Sequence, residues 1–451
     1  MQTPITSFPN FLIALVESLR RQLHDPVFLA RHRVRPEDFT RQRQLTFPVM
    51  MLFVLQKTIK SIQRHLDEFL DALAGGQIVT PVTPGAVTHA RAKLKESAFI
   101  ELNHDCVLPT FYSSERPVRR WHERRLLGID SSLIRLPSSE ELGQIFGWKE
   151  ASNQHGATGT SYPEARLSVV YDLLNRAGLD TRLEPSTVGE VPLAMEQLAV
   201  LQPGDIEIND RGFTGYVYLA LILHRQADFI ARCSTGSFLA AQQLFRLNRA
   251  NQSRVIWLFA PRDQRAECQR LGLPLKIKVR FVSLRLPTGE LEVLATSLLD
   301  ESLYPTAEFL TVYHYRWGHE TFHLMLKGRF ELENFSGETV EAVRQDVHAA
   351  VLLANLESLL SEPAQAALEQ GRQPDSQPIQ VNRSNSYHAL KLKLLELLHS
   401  DIPAPLVLTK LLTLFQGAPV AVRPDRKVER RRKASFHRSY HFQRRVKKMV
   451  F

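Results

Sequence analysis

The chain has 451 residues, 44% hydrophobic and 23% charged, which is typical of a globular protein with about two or three cores. Its apolar runs are shorter than the ~18–20 residues that span a bilayer, and its three widely spaced cysteines form no CxxC pattern. This argues against a membrane protein, a disulfide framework or a structural zinc site and indicates a reducing cytoplasm.

The positive charge of the chain is concentrated at one end. The formal net charge is +10, and residues 423–451 hold 12 Lys and Arg against 2 Asp and Glu. The preceding 422 residues are therefore balanced. A neutral body with a cationic tail favours a polyanionic partner, either nucleic acid or a membrane surface.

Residues 1–115 have a predominantly helical pattern. Apolar residues recur at helical spacing from Phe47 to Leu73, which predicts one long helix. A short amphipathic helix with basic side chains follows, carrying Arg91, Lys93 and Lys95. This layout is typical of either a helix-turn-helix-like region that contacts a phosphate backbone or a helical bundle with a solvated basic face.

The pattern becomes β-type at Arg124. Three strand-like runs follow one another, and short helices then alternate with strands, which predicts a mixed sheet with helices on its faces. Residues from about 240 to 300 are again rich in β-type runs and are interpreted as an insertion.

The last third of the chain has a helical pattern. A proline near Tyr304 and a glycine at Gly328 bound one long predicted helix, and a second helix follows. Residues 362–387 contain three prolines and few apolar residues, which predicts a linker. Two short helical patterns precede the tail.

Four polar residues of the long predicted helix share one stripe, because their spacing places them within about 60° of one another on a continuous helix. They are Tyr313, Arg316, Glu320 and Lys327. Such a stripe either holds a metal ion beside a phosphate or is a solvated charged face.

Two aspartates follow apolar strand-like runs. Asp130 ends LLGID, and Asp210 ends IEIND. An ionised carboxylate at the end of a buried strand requires a partner, and oxygen ligands suit Mg²⁺ or Mn²⁺. The two aspartates would form a metal site with Glu320 if the fold brings them together.

These motifs resemble those of a known family. The segment YHYRWGHETFHLMLK has the spacing Tyr-x2-Arg-x3-Glu-x6-Lys, and GIDSS and INDRGF resemble the two aspartate motifs that precede it. The chain resembles the DDE transposases of bacterial insertion sequences, in the branch with the Tyr-Arg-Glu-Lys (YREK) signature. The resemblance extends over residues 36–340.

The resemblance implies an α/β fold with an RNase H-like mixed-sheet core. The implied organisation is a helical DNA-binding region at 1–115, a catalytic core at 116–345 with a β-rich insertion at about 240–300, a helical region at 346–422 and a basic tail at 423–451. Asp130, Asp210 and Glu320 would be the catalytic metal ligands for two Mg²⁺ or Mn²⁺ ions. Tyr313, Arg316 and Lys327 would bind backbone phosphates of DNA.

The implied activity is metal-dependent cleavage at insertion-sequence ends followed by strand transfer into target DNA. The implied partners are double-stranded DNA and a second copy of the chain in a synaptic complex, without a membrane or a small-molecule substrate. The expected location is the bacterial cytoplasm, in association with the nucleoid. Two alternatives are a repurposed DNA-binding protein that does not cleave and a stand-alone RNase H-like nuclease.

One departure from the family concerns tryptophan. Some relatives place a tryptophan on the last inserted strand, where it stacks on a flipped base. Glu292 begins that strand here. Trp257, on an earlier inserted strand, is interpreted as a core residue in preference to a substitute for the stacking residue.

Overall fold

A computed structural model of the chain describes residues 8–41, 43–57, 61–75, 80–153, 156–373 and 376–422. The predicted basic tail, residues 423–451, lies outside the described residues. The chain forms two compact units. Of the described residues, unit 1 comprises those within 8–117, 134–165 and 324–422, and unit 2 comprises residues 118–133 and 166–323.

The described helices lie mostly at the two ends of the chain. They are α1 Asn10–His24, α2 Pro26–His32, α3 Phe47–Leu55, α4 Ile62–Ala74, α5 Pro84–Arg91, α6 Ser97–Glu101, α7 Leu108–Phe111, α8 Glu140–Phe146, α9 Glu190–Gln197, α10 Tyr216–His224, α11 Leu239–Leu247, α12 Arg265–Arg270, α13 Glu308–His314, α14 Trp317–Gly328, α15 Val340–Leu360, α16 Glu362–Gln370, α17 Arg383–Leu398 and α18 Ala404–Gln416.

The described strands lie mostly in the middle of the chain. They are β1 Leu126–Arg135, β2 Trp148–Asn153, β3 Gly156–Asp172, β4 Ala177–Pro185, β5 Ile206–Asn209, β6 Asp228–Arg232, β7 Gln252–Phe259, β8 Lys276–Arg285, β9 Leu291–Thr296, β10 Ile379–Gln380 and β11 Val420–Ala421.

The sheet of unit 2 mixes parallel and antiparallel strands. Within this unit the order is β3-β1-β5-β6-β9-β8-β7, and β4 also pairs with β3. The central strands β1, β5 and β6 are parallel neighbours, whereas β6, β9, β8 and β7 pair antiparallel. This arrangement confirms the predicted α/β fold with a mixed sheet and helical regions at both ends.

The register of the parallel strands determines which residues lie at the same level. Leu126 of β1 is opposite Ile206 of β5, and Asn209 of β5 is opposite Ala231 of β6. The same register, continued beyond the last paired residues, places Asp130 in the middle of β1 beside Asp210, and Asp210 beside Arg232. Sheet topology therefore brings the two predicted aspartates to one edge of unit 2.

The strands of the predicted β-rich insertion extend this sheet. Strands β7, β8 and β9 continue it beyond β6, with β7 as the outermost strand of the path. The interpretation of Trp257 as a core residue is wrong, because 52% of its surface is exposed. Its ring lies on β7 under the ammonium group of Lys276, at 5.0 Å from Nζ to the ring centroid.

Unit 1 is built around two buried helices. Most side chains of α15 are buried, and all side chains of α3 except that of Pro48 are buried. Burial of α3 is expected for a helix that is apolar on all sides. Arg91 of α5 is also buried and donates to Asp346 Oδ1 of α15 at 2.8 Å. Arg91 therefore belongs to the interior of unit 1, whereas the sequence placed it on a basic face that was either solvated or in contact with a phosphate backbone.

Three other element predictions differ from the structure. The helix predicted from Phe47 to Leu73 is divided into α3 and α4, and the one predicted from Tyr304 to Gly328 is divided into α13 and α14. The linker predicted at 362–387 contains α16 and the start of α17. Proline lies within the first turn of α16, where its missing N–H leaves no hydrogen bond unmade.

No helix among the described residues is long and apolar enough to cross a membrane. Cys106, Cys233 and Cys268 are buried free thiols.

Candidate active site

Asp130 is positioned at the carboxyl end of the buried part of β1. The four residues before it are buried, and its own carboxylate is partly exposed. The backbone N–H of Ser131 donates to Asp130 Oδ1 at 2.8 Å. Burial raises the pKa of Asp130 to about 6; the Ser131 hydrogen bond opposes this shift, and the charge of Glu190 adds to it.

Asp210 lies directly after β5 and caps the short 3₁₀ turn Arg211–Phe213. Its Oδ1 accepts from the backbone N–H of Arg211 at 2.8 Å. Two arginines lie near its two oxygens: Arg232 Nη1 is 3.9 Å from Oδ1, and Arg316 Nη1 is 3.8 Å from Oδ2.

Arg316 links Asp210 to Glu320. The same Nη1 atom donates to Glu320 Oε1 at 3.0 Å. Arg316 is buried, with 6% of its surface exposed, and its guanidinium lies 4.7 Å from the ring centroid of Trp317. The pair Arg316–Glu320 therefore differs from the solvated i,i+4 charge face that spacing alone allowed.

A break in the helix determines where Arg316 points. Between α13 and α14, the N–H of Arg316 bonds to the carbonyl of Tyr313, and the N–H of His319 bonds to the carbonyl of Arg316. These i→i+3 bonds tighten the chain into a turn. The prediction that the four signature residues share one continuous helical stripe is therefore wrong.

Tyr313 is buried on α13, and its hydroxyl has no hydrogen-bond partner within the described part of the chain. Burial raises its pKa well above the ordinary value, while the positive charge of Arg316 opposes the shift. Asp210, Glu292 and Arg232 also act on it electrostatically. Tyr313 therefore lies among the same charged side chains and is a neutral hydrogen-bond donor.

His319 of α14 bonds to β3 and lies near Asp130 of β1. Its Nε2 lies 2.8 Å from the carbonyl oxygen of Val169, and its Nδ1 lies 3.9 Å from Asp130 Oδ2. Burial lowers its pKa to about 4, so the ring is neutral at pH 7. The carbonyl selects the tautomer with the proton on Nε2. Gly128 makes room for this ring, because a Cβ there would lie 3.4 Å from His319 Cδ2.

Arg232 and Glu292 form a further ion pair beside Asp210. Arg232 Nε lies 2.6 Å from Glu292 Oε1, and burial raises the pKa of Glu292 while the Arg232 charge opposes the shift. Glu292 of β9 is thus a buried carboxylate.

Lys327 belongs to the part of α14 that lies in unit 1. Its Nζ is 4.0 Å from Glu333 Oε1. Within unit 2, the structure brings five residues together around Asp210: Arg232, Glu292, Tyr313, Arg316 and Glu320. Asp130 lies at the same level of the sheet, beside His319.

The ligand types at this site suit a hard divalent cation. Asp130, Asp210 and Glu320 supply carboxylate oxygens, which Mg²⁺ and Mn²⁺ prefer. Among the described residues, no three His, Cys, Asp or Glu side chains are arranged as a metal site. Instead, the Arg316 guanidinium lies between Asp210 and Glu320. The carboxylates are thus compensated by an internal cation, which a metal ion would have to displace.

Sequence reasoning missed the roles of Arg232, Glu292 and His319 in this cluster. Arg232 follows a strand-like run, as Asp210 does, and this position in the sequence could have indicated that Arg232 lies near Asp210. Glu292 and His319 gave none, because their burial depends on the strand register and on the helix break.

Comparison with known proteins identifies the class. Residues 121–356, more than half of the chain, match the family described as "Transposase DDE domain". The chain therefore belongs to the DDE transposase family, whose general activity is DNA transposition. DNA is the partner of this class, and divalent metal ions are its usual cofactors.

Among solved structures, the chain is similar to the piggyBac transposase in its synaptic complex with hairpin DNA. The identity is 10% and the TM-score is 0.41, over 94% of this chain and 89% of that chain. A likeness at this level does not indicate which residues act. No curated protein matches the sequence.

Proposed function

We propose that this protein cleaves DNA at the ends of a bacterial insertion sequence and joins the freed ends to target DNA. The observation that supports the proposal best is the cluster at the carboxyl edge of the parallel strands. There, Asp130 follows the buried half of β1, Asp210 follows the adjacent strand β5, and Glu320 is linked to Asp210 by a buried arginine. The YREK spacing of residues 313–327 supports assignment to that branch of insertion-sequence transposases.

Asp130, Asp210 and Glu320 are the proposed ligands for two Mg²⁺ or Mn²⁺ ions. Bound divalent ions would activate the attacking water or 3′-hydroxyl and stabilise the leaving oxygen. The protein would hold the ligands in register through β1, β5 and α14. Because Asp130 has a pKa of about 6, its carboxylate is mostly ionised at pH 7 and is available to a cation.

The proposed DNA contacts are Tyr313, Arg316 and Lys327. Tyr313 offers a neutral hydroxyl donor. Arg316, once a metal ion has taken its carboxylate partners, would have its guanidinium available for a phosphate, which it can bind through two parallel hydrogen bonds. Lys327 would contribute a point charge. A second copy of the chain would be required to hold two ends together, and the location would be the cytoplasm, near the nucleoid.

The alternative is a relative that binds DNA without cutting it. Retention of all three carboxylates in one unit favours the enzyme, because a binding protein has no need of a cation site at Asp210. A stand-alone nuclease would have no need of the basic and phenolic residues around that site.

A transposition assay distinguishes an enzyme that moves DNA from a protein that only binds DNA. The gene would be placed with its native flanking DNA on a donor plasmid, and movement to a target plasmid would be counted. We expect movement with a short target duplication at each new junction. Specific binding to the flanking DNA without any movement would instead support the DNA-binding alternative.

A further inference from the structure

The ion pair of Arg232 and Glu292 borders Asp210, which is the strand-end carboxylate of the proposed metal site. Arg232 is the last residue of β6 and follows Ala231, which is opposite Asn209 in the parallel ladder. On its other side, Arg232 is opposite Leu294 of β9. Glu292 lies two residues before Leu294 and therefore on the same face of the sheet.

The distances show that the Arg232 guanidinium forms its close ion pair with Glu292 and not with Asp210. Arg232 Nε is within hydrogen-bond distance of Glu292 Oε1, at 2.6 Å, whereas Arg232 Nη1 is 3.9 Å from Asp210 Oδ1. Glu292 and Asp210 are the carboxylates that contact Arg232 within the described part of the chain. The two carboxylates thus compete for one cation.

Burial explains which carboxylate prevails. The side chain of Glu292 is 5% exposed, whereas that of Asp210 is 43% exposed. A buried carboxylate without a partner is costly, and its attraction to a cation is weakly screened. Water can solvate Asp210, so an ion pair between Arg232 and Asp210 would stabilise the protein less than the pair between Arg232 and Glu292.

We propose that Glu292 is a positioning residue that neutralises Arg232 and thereby keeps Asp210 available to a metal ion. This inference rests on the proposed metal-dependent function and adds a residue to it. With Glu292 ionised, Arg232 and Glu292 together carry no net charge, and Asp210 keeps its negative charge for an incoming cation. Without the negative charge of Glu292, Arg232 would pair with Asp210. Arg232 would then compete with the metal ion for Asp210, as Arg316 already does.

Mn²⁺ binding to the full-length protein without DNA tests this proposal, with unbound Mn²⁺ measured by electron paramagnetic resonance. Glu292→Gln preserves the shape of the side chain and removes its charge. We expect it to weaken Mn²⁺ binding roughly tenfold, as is typical when a group that orients a metal ligand is lost. The double variant Arg232→Gln/Glu292→Gln removes the competitor as well and should bind Mn²⁺ at least as tightly as the unsubstituted protein.

Arg125 and Asp205 provide a matched control, since they form a buried ion pair in the same unit at 2.7 Å from Nε to Oδ1. Asp205→Asn should lower the melting temperature and leave Mn²⁺ affinity unchanged. If Glu292→Gln does not fold, the double variant Arg232→Gln/Glu292→Gln still tests the proposal. Weaker Mn²⁺ binding by the double variant than by the unsubstituted protein would overturn it.

The failure of this inference is distinguishable from failure of the proposed function. If Asp210→Asn abolishes Mn²⁺ binding but Glu292→Gln leaves it unchanged, only the role of Glu292 is overturned. If the unsubstituted protein binds no Mn²⁺, or binds it equally well with Asp210→Asn, the metal site fails, and the role of Glu292 fails with it.

Discussion

At the scale of single residues, several charged side chains are buried, although their spacing in the sequence is also typical of solvated side chains. Helical spacing allows Arg316 to be solvated, yet it is buried between Asp210 and Glu320. Glu207 of β5 is fully buried and accepts hydrogen bonds from Tyr218 and Asn209. A buried carboxyl group of this kind makes the stability of the protein depend on pH.

Glu207 gives a prediction about pH. Burial raises its pKa from 4.5 to about 7, against the hydrogen bonds from Tyr218 and Asn209. Between these two values Glu207 keeps a proton in the folded protein that it has lost in the unfolded chain, so its contribution to stability falls as pH rises from about 4.5 to 7 and then levels off. Glu207→Gln should make this fall shallower, as measured by melting temperature across that range.

The exposed Glu196 on α9 is the control for this measurement, because Glu196→Gln should leave the pH dependence unaltered. A pH dependence in Glu207→Gln equal to that of the unsubstituted protein would show that Glu207 is ionised in the folded state.

At the scale of elements, the packing of α14 against β1 positions the site. Gly128 of β1 faces His319 of α14, and a Cβ at this position would lie 3.4 Å from His319 Cδ2 and from Leu173 Cδ2. The close approach brings Glu320 near Asp210 through Arg316. The helix must also break before α14, since a continuous helix would direct Tyr313 and Arg316 differently.

Gly128→Ala tests this packing. The added methyl group would lie at the short limit of van der Waals contact with both the His319 and the Leu173 side chains, so we expect a loss of about 1 kcal/mol in the free energy of unfolding. Gly236→Ala is the control, since the nearest atom to its Cβ would be Ser234 Oγ at 3.9 Å. Denaturant unfolding gives both values. Equal stability of the two variants would contradict close packing of α14 on β1.

Sequence patterns located the strand ends but not the contacts between distant elements. The runs before Asp130 and Asp210 predicted two buried strands, because an apolar run that ends in a carboxylate is a local signal. The break at Tyr315 and Arg316 has no such signal, since neither residue is a proline or a glycine. Trp257 was misinterpreted because apolar composition does not distinguish an inner strand from the outermost one.

At the scale of the whole molecule, the excess positive charge and the residues of the proposed metal site lie in different parts of the chain. The carboxylates and arginines of the proposed site lie in the charge-balanced first 422 residues, whereas the excess of ten positive charges lies in residues 423–451. We therefore expect the tail to add non-specific DNA affinity without any part in metal binding.

Deletion of residues 423–451 tests this division. Binding to a non-cognate duplex should weaken, and the slope of log affinity against log salt should become shallower by several units. Lys327→Ala removes a single cation and should reduce the slope at the cognate end by only about one. Fluorescence anisotropy at a series of salt concentrations measures both. An unchanged slope after the deletion would show that the tail does not contact DNA.

The most direct measurement is cleavage of the native flanking DNA by purified protein in the presence of Mg²⁺. It would compare the unsubstituted protein with Asp130→Asn, Asp210→Asn and Glu320→Gln, with Asp180→Asn on β4 as a control carboxylate outside the site. We predict nicks at discrete positions at the element ends, reduced at least about a thousandfold in each of the three variants and unchanged in the control. Undiminished cleavage by any of the three variants would contradict its assignment as a metal ligand.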